Sequence, residues 1–177
     1  MTQTILVPVD GSEHSRMALA IACNMAKSQG ATLLLLHVLS DRVLTEEERR
    51  LVETEHLGEI RDNAEIGQLI AGRGDSDLVV QRIVSHLRLA EQEARSAIGQ
   101  RVLDDARRQA VERGVTPGDC LLDSGDAAVG IVKAARARAV DHIVIGARGL
   151  GGFAGLILGS VSQKVIHHAP CPCTVVK

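Results

Sequence analysis

The chain has no tryptophan and no tyrosine, and Phe153 is its single phenylalanine. Proteins that hold single-stranded nucleic acid stack bases on aromatic platforms, which this sequence does not supply. Twenty Lys and Arg stand against 22 Asp and Glu, a formal net charge of −2, so no electrostatic drive toward DNA or an anionic membrane exists. No uncharged apolar run reaches the ~18 residues of a membrane span. The opening Met1-Thr2-Gln3-Thr4-Ile5 lacks a basic n-region and a signal core, so a cytoplasmic protein with no membrane partner is expected. In that compartment Cys23, Cys120, Cys171 and Cys173 read as reduced thiols. Cys23 falls in a helical pattern and Cys120 in a strand pattern, so both are expected to be small buried hydrophobes.

What is present is a core of Ala, Val, Leu and Ile, suited to a parallel sheet covered by helices on both faces. Ile5 to Val9 is a short apolar run closed by Asp10-Gly11-Ser12. Met17, Ala18, Ile21, Ala22 and Met25 then recur at helical spacing, with Ser12 as N-cap and Gly30 as a left-handed C-terminal cap. Thr32 to Val38 is a second buried strand, completing a βαβ unit with parallel strands. Ala90 to Arg113 has helical spacing, Asp119 to Leu122 reads as a strand, and Asp126 caps a helix to about Ala139. His142 to Ile145, a helix over Ser160 to His168 and a strand Thr174 to Val176 complete the chain. The expectation is one α/β domain over 1–177, an open doubly wound sheet of five parallel strands, with a helical insertion at about 41–88.

Strand His142 to Ile145 empties into a glycine-rich loop, and a helix starts at the loop's far end. Glycine lets main-chain N–H groups approach an anion, and a helix N-terminus adds unpaired donors and partial positive charge. Asp141 is the last acidic residue of the chain, so the loop is expected to carry bare amides with no nearby carboxylate, a cradle for a polyphosphate. Two better-known phosphate motifs do not apply. The P-loop pattern is absent because no lysine follows a loop glycine. Gly149-Leu150-Gly151-Gly152-Phe153-Ala154 matches the dinucleotide fingerprint, but the acid required about 20 residues later is missing.

What remains is G-x2-G-x9-G-S: Gly146, Gly149, Gly159 and Ser160. With Val7-Pro8-Val9-Asp10-Gly11-Ser12, His37-Val38 and the closing Ala169-Pro170-Cys171-Pro172-Cys173-Thr174-Val175-Val176, this closely resembles the universal stress protein family. The resemblance covers about 3–40 and 90–177 and points to that family's ATP-binding branch. It implies sheet order 3-2-1-4-5 and a homodimer through the last strand, Cys173 to Val176. Pairing that edge strand with its twin would also satisfy otherwise unpaired amides. Carried over, Gly146, Arg148, Gly149 and Gly159 would line ribose and phosphates. Ser160, Val161 and Ser162 would offer amides and hydroxyls from a helix N-terminus. Asp10 would bond the nucleoside end, the Val38 main chain would read the adenine edge, and Pro8 and Val9 would floor the pocket. The implied cofactor is ATP, or ADP or AMP, with Mg²⁺ held through the phosphates.

No carboxylate or glutamine in the motif is placed to orient a water, and Arg148 alone could neutralise developing charge. A cytosolic nucleotide-dependent regulator or sensor in stress response, with slow or no hydrolysis and no catalytic residue, is therefore expected. The alternatives are a nucleotide-independent dimer acting through protein partners, and a weak ATPase. His167, His168, Cys171 and Cys173 invite a zinc reading, but adjacent helical histidines point about 100° apart, so no metal site is assigned. His37 reads as a hydrogen-bonded core residue. From Asp41 to Glu65 there are nine acids and four Arg or Lys, opened by the capping-box pattern Thr45 to Glu48. Leu78 to Leu89 extends the following helix backwards in one reading of this segment.

Overall fold

The computed structural model describes residues 3–39, 76–150 and 158–177. Phe153, the Thr45 to Glu48 pattern and the acidic stretch 41–65 lie outside the described residues. The elements are β1 (Thr4–Pro8), α1 (Glu13–Gln29), β2 (Thr32–Leu39), α2 (Ser76–Glu112), β3 (Cys120–Ser124), α3 (Ala127–Ala137), β4 (His142–Gly146), α4 (Ser160–His168) and β5 (Cys173–Val176). All strand pairs are parallel, in the order β3-β2-β1-β4-β5. The chain separates into two compact units, Met1–Asp41 with Gly99–Lys177, and Arg42–Ile98. The first of these carries the sheet.

Side chains alternate across a strand, so each strand feeds two cores. Ile5, Val7, Leu33, Leu35 and Val144 pack with Ala18, Leu19, Ala22 and Cys23 of α1 and with Leu103, Ala106 and Ala110 of α2. Leu6, Leu34, Leu36, Ile143 and Ile145 pack on the other face with Ile131 and Ala135 of α3 and Val165 of α4. Burying each such aliphatic side chain contributes roughly 1.5–3 kcal/mol against chain entropy. This two-sided burial is why the central strands read as unbroken apolar runs.

The helix ends follow their local chemistry. The Ser12 hydroxyl accepts from the Ser15 amide at 3.2 Å. Gly30 closes α1 in the left-handed conformation, φ 63°, its N–H bonded to Ala26 O. Asp126 caps α3 through the amides of Ala128 (2.9 Å) and Val129 (3.1 Å). By contrast, α4 opens on Gly159, and no side chain caps it.

The helix that starts at Ser76 is the one the backward extension through Leu78 to Leu89 describes, its apolar spacing continuing upstream of Ala90 without a breaker. One expectation needs correction. Cys120 is exposed, whereas Cys23 is buried. β3 is an edge strand with alternating exposure, and strand order, not local pattern, decides which strand lies at the edge.

Candidate functional site

In an open parallel sheet the ligand crevice lies beyond the strand C-termini where strand order reverses. Here that point is at β1, which has β2 on one side and β4 on the other. The turn after β1 and the loop after β4 meet there.

The β1 turn is held from within. The Asp10 N–H donates to Ser15 Oγ at 3.2 Å, and the Ser12 N–H donates to Asp10 Oδ1 at 3.0 Å. Gly11 between them sits at φ 79°, a conformation that side chains resist. The Asp10 carboxylate is thereby fixed in direction, and its other oxygen lies against Gly149. A Cβ placed on Gly149 would be 2.4 Å from Asp10 Oδ2. This corrects the expectation of a loop without a nearby carboxylate: the acid comes from the β1 turn, far away in the chain. The Ser12 hydroxyl completes the junction by donating to the Arg148 carbonyl at 3.4 Å.

The two halves of the glycine motif are tied together by hydrogen bonds. Gly159 N–H donates to Ala147 O at 2.7 Å. The buried Ser162 hydroxyl donates to Gly146 O at 2.7 Å and contacts Ala147 O at 3.2 Å. These bonds seat the first turn of α4 on the end of β4. The hydroxyl of Ser162 is thus committed to the loop, which corrects its expected role as a ligand donor. Gly146 is needed for a different reason from Gly149: its Cβ would lie 2.7 Å from the His14 carbonyl carbon, main chain against main chain. At Gly159 a Cβ would stand 3.3 Å from Ala147 O.

Val38 owes its place to strand register. Even residues of β2 turn their main-chain groups toward β1: Thr32 N–H donates to Gln3 O, and Leu36 O accepts from Val9 N–H at 2.8 Å. Odd residues turn toward β3, as Leu35 N–H to Asp119 O and Gly125 N–H to Leu39 O show. Val38 therefore directs its N–H and C=O to the β1 side, beyond the last pair, Pro8 with Leu36, where the chain has left the sheet. Val9 is committed elsewhere: its side chain is in the core and its carbonyl contacts His37 Nδ1 at 2.6 Å. Pro8, at the end of β1, is half-buried.

Sequence reading missed Ser12 and Ser15 as the groups that aim Asp10. The signal was present as Asp10-Gly11-Ser12 followed by Ser15, an Asx turn running into a helix cap. Among the described residues, no group of three or more His, Cys, Asp or Glu is gathered to hold a metal ion. His142 Nε2 bonds Thr174 Oγ1 at 2.8 Å, joining β4 to β5. No described helix is long and apolar enough to cross a membrane.

The fold is that of an open doubly wound α/β protein whose β1 turn and β4 loop meet at the sheet's carboxyl edge. The universal stress protein family model matches residues 1–177, and the chain belongs to that family. It is 31% identical over its full length to a universal stress protein of Thermus aquaticus, and 29% identical to YxiE of Bacillus subtilis, with 100% of both chains covered in each case. The fold is shared with UspA of Lactobacillus plantarum, at TM-score 0.61 and 22% identity, covering 99% of this chain and 97% of that one. An Archaeoglobus fulgidus universal stress protein solved with dAMP matches at TM-score 0.58 and 18% identity, covering 100% and 98%. A universal stress protein solved in complex with cAMP matches at TM-score 0.56 and 20% identity, covering 99% and 96%.

Proposed function

We propose that this chain binds an adenine nucleotide at the crevice between the β1 turn and the β4 loop, and acts as a nucleotide-dependent regulator. The observation that carries this reading is the uncapped start of α4, held beside Gly149 and Asp10. A helix N-terminus with no side chain over it favours an anion, and Gly149 lets the Asp10 carboxylate approach the loop as no other residue would. The main-chain amides of Ser160, Val161 and Ser162 are the proposed phosphate donors, with Arg148 as the nearby cation. Val38 offers one N–H and one C=O, the donor and acceptor pair that an adenine edge requires. Asp10, whose Oδ1 already accepts from the Ser12 N–H, would accept from a ribose hydroxyl through Oδ2, which lies beside Gly149. Mg²⁺ would be held through phosphate oxygens, as befits a hard cation. Two universal stress proteins of the same fold, solved with dAMP and cAMP, support an adenine ligand.

Slow or no hydrolysis belongs to the same proposal, as does a homodimer formed through β5. Turnover above background that Asp10→Asn removes would instead make the protein an ATPase. Sedimentation as a monomer at micromolar concentration would remove the dimer. With no Trp or Tyr, the protein is nearly silent at 280 nm, so bound adenine shows plainly at 260 nm. A 260 nm band that follows the purified protein through gel filtration, and is lost on unfolding, is the expected result. A clean protein that also fails to take up added ATP, ADP or AMP contradicts the proposal.

A further inference from the structure

In a parallel ladder a residue bonds its neighbouring strand twice, through its N–H to one carbonyl and through its C=O to the N–H two residues further along. Val9 makes the first of these bonds, its N–H donating to Leu36 O at 2.8 Å. The second would bring the Val38 N–H onto the Val9 carbonyl, since Val38 lies two residues beyond Leu36 and faces β1. That bond is not made, and the paired register stops at Pro8 with Leu36. The Val9 carbonyl meets the His37 ring instead, with Nδ1 2.6 Å from the oxygen. A carbonyl oxygen can only accept, so Nδ1 carries the hydrogen and donates it. Among the described residues, the Val38 N–H has no hydrogen-bond partner.

The ring is held from behind as well. His37 is half-buried, and a Cβ added to Gly99 of α2 would stand 2.9 Å from its Cδ2. The same Cβ would meet Leu39 Cδ2 at 2.6 Å and Leu122 Cδ1 at 2.8 Å. Glycine within a helix is destabilising relative to alanine, and here its missing Cβ makes room for the ring. Packing against Gly99 on one side and the Val9 carbonyl on the other set the direction in which Nδ1 points.

We infer that His37 is a positioning residue of the crevice: by taking the Val9 carbonyl, it keeps the Val38 N–H unpaired and available to a ligand. The inference rests on the reading that Val38 meets an adenine edge, and it names the group that leaves that amide available. A ring nitrogen of a purine is the acceptor this N–H suits, with the Val38 C=O beside it to accept from an exocyclic amine. Val38 is half-buried, and an unpaired N–H there carries a desolvation cost that a ligand acceptor relieves.

Amide hydrogen exchange, read by NMR on the full chain, tests this without any nucleotide. In the nucleotide-free protein the Val38 N–H should exchange at least tenfold faster than that of Leu36, which lies inside the ladder. The His37 ring should carry its hydrogen on Nδ1. His37→Leu removes the donor, so Val38 exchange should slow at least tenfold as the Val9 carbonyl takes the amide. His37→Asn, whose side-chain amide donates from the place of Nδ1, should leave Val38 exchanging fast. AMP should bind about tenfold more weakly to His37→Leu, and His37→Asn should recover most of that loss. Circular dichroism verifies folding, and a merely structural histidine would not slow exchange at one chosen amide. Should His37→Leu fail to fold, the exchange rates and ring tautomer of the unmodified chain still decide. A protected Val38 N–H in that chain without nucleotide, or a ring hydrogen on Nε2, overturns the inference. So does unchanged Val38 exchange or full AMP binding in folded His37→Leu. The expected exchange pattern with no AMP binding to the unmodified chain removes the adenine reading and supports His37 as the group that keeps this amide unpaired.

Discussion

Gly149 and Asp10 meet so closely that a single added carbon on the glycine would lie 2.4 Å from the carboxylate Oδ2. Gly149 is exposed and is not among the positive-φ residues, so it is kept by the approach of Asp10 and not by its own backbone angle. Gly149→Ala should therefore leave stability within about 0.5 kcal/mol, because nothing buried is disturbed. It should weaken adenine nucleotide binding at least tenfold by driving the Asp10 carboxylate out of place. Equilibrium urea unfolding with a parallel nucleotide titration checks both halves. Lost stability with affinity retained would contradict the assignment.

Gly146→Ala should do the opposite. The added carbon meets main chain at His14, and neither α1 nor β4 has a flexible end to move aside. We expect a stability loss of about 1–3 kcal/mol, the usual cost of overpacking a filled interior. A denaturant midpoint equal to that of the unmodified chain would contradict this.

Ser162→Ala removes the hydroxyl that joins α4 to the end of β4 and takes its donor from the Gly146 carbonyl, while Ala147 O keeps the Gly159 N–H. The expected destabilisation is about 1–3 kcal/mol, with weaker nucleotide binding as the loop's halves separate. Ser162→Thr, which keeps the hydroxyl, should retain more affinity than Ser162→Ala.

Asp126 gives the protein a pH dependence of known sign. The Val129 amide, then the Lys164 side chain, hold its carboxyl below the ordinary range. A depressed native pKa means this contribution is complete above about pH 4, the value in an unfolded chain, and disappears as pH falls through the native value. Asp126→Ala should cost about 1 kcal/mol at neutral pH, mostly as a lost helix cap. Asp126→Asn should cost less, since it still caps α3. Urea midpoints at pH 7 and pH 3 should show the gap between Asp126→Ala and the unmodified chain narrowing in acid.

Burial pushes the Cys23 and Cys120 thiols up, and for Cys120 a nearby Arg107 partly offsets this. Neither should react readily at pH 7, since the thiolate is the nucleophile. Iodoacetamide should label exposed Cys120 as pH rises above 8.5, and Cys23 only on unfolding. Rapid labelling of Cys23 in the folded protein would contradict its place in the core.

Much of the architecture was legible because the strands are buried on both faces. Runs such as Thr32 to Val38 carry their own signature, and Gly30 and Asp126 mark helix ends by local chemistry. Cys120 was misread because strand pattern does not say which strand forms an edge. The backward extension of α2 through Leu78 to Leu89 was legible because apolar spacing continues upstream with no breaker at Ala90. In the crevice, Gly146, Gly149 and Gly159 were visible as a spacing, yet their separate duties were not. Each duty depends on a group distant in sequence: His14 for Gly146, Asp10 for Gly149, Ala147 for Gly159. Ser162 was read as a ligand donor because nothing local reveals that its hydroxyl faces inward.

Isothermal titration of the purified chain with ATP and Mg²⁺, and separately with AMP, decides whether the crevice holds an adenine nucleotide. We expect one site per chain with a dissociation constant on the order of micromolar, and at least tenfold weaker binding in Gly149→Ala. No heat with either ligand from nucleotide-free protein, or equal binding by folded Gly149→Ala, would contradict the site described here.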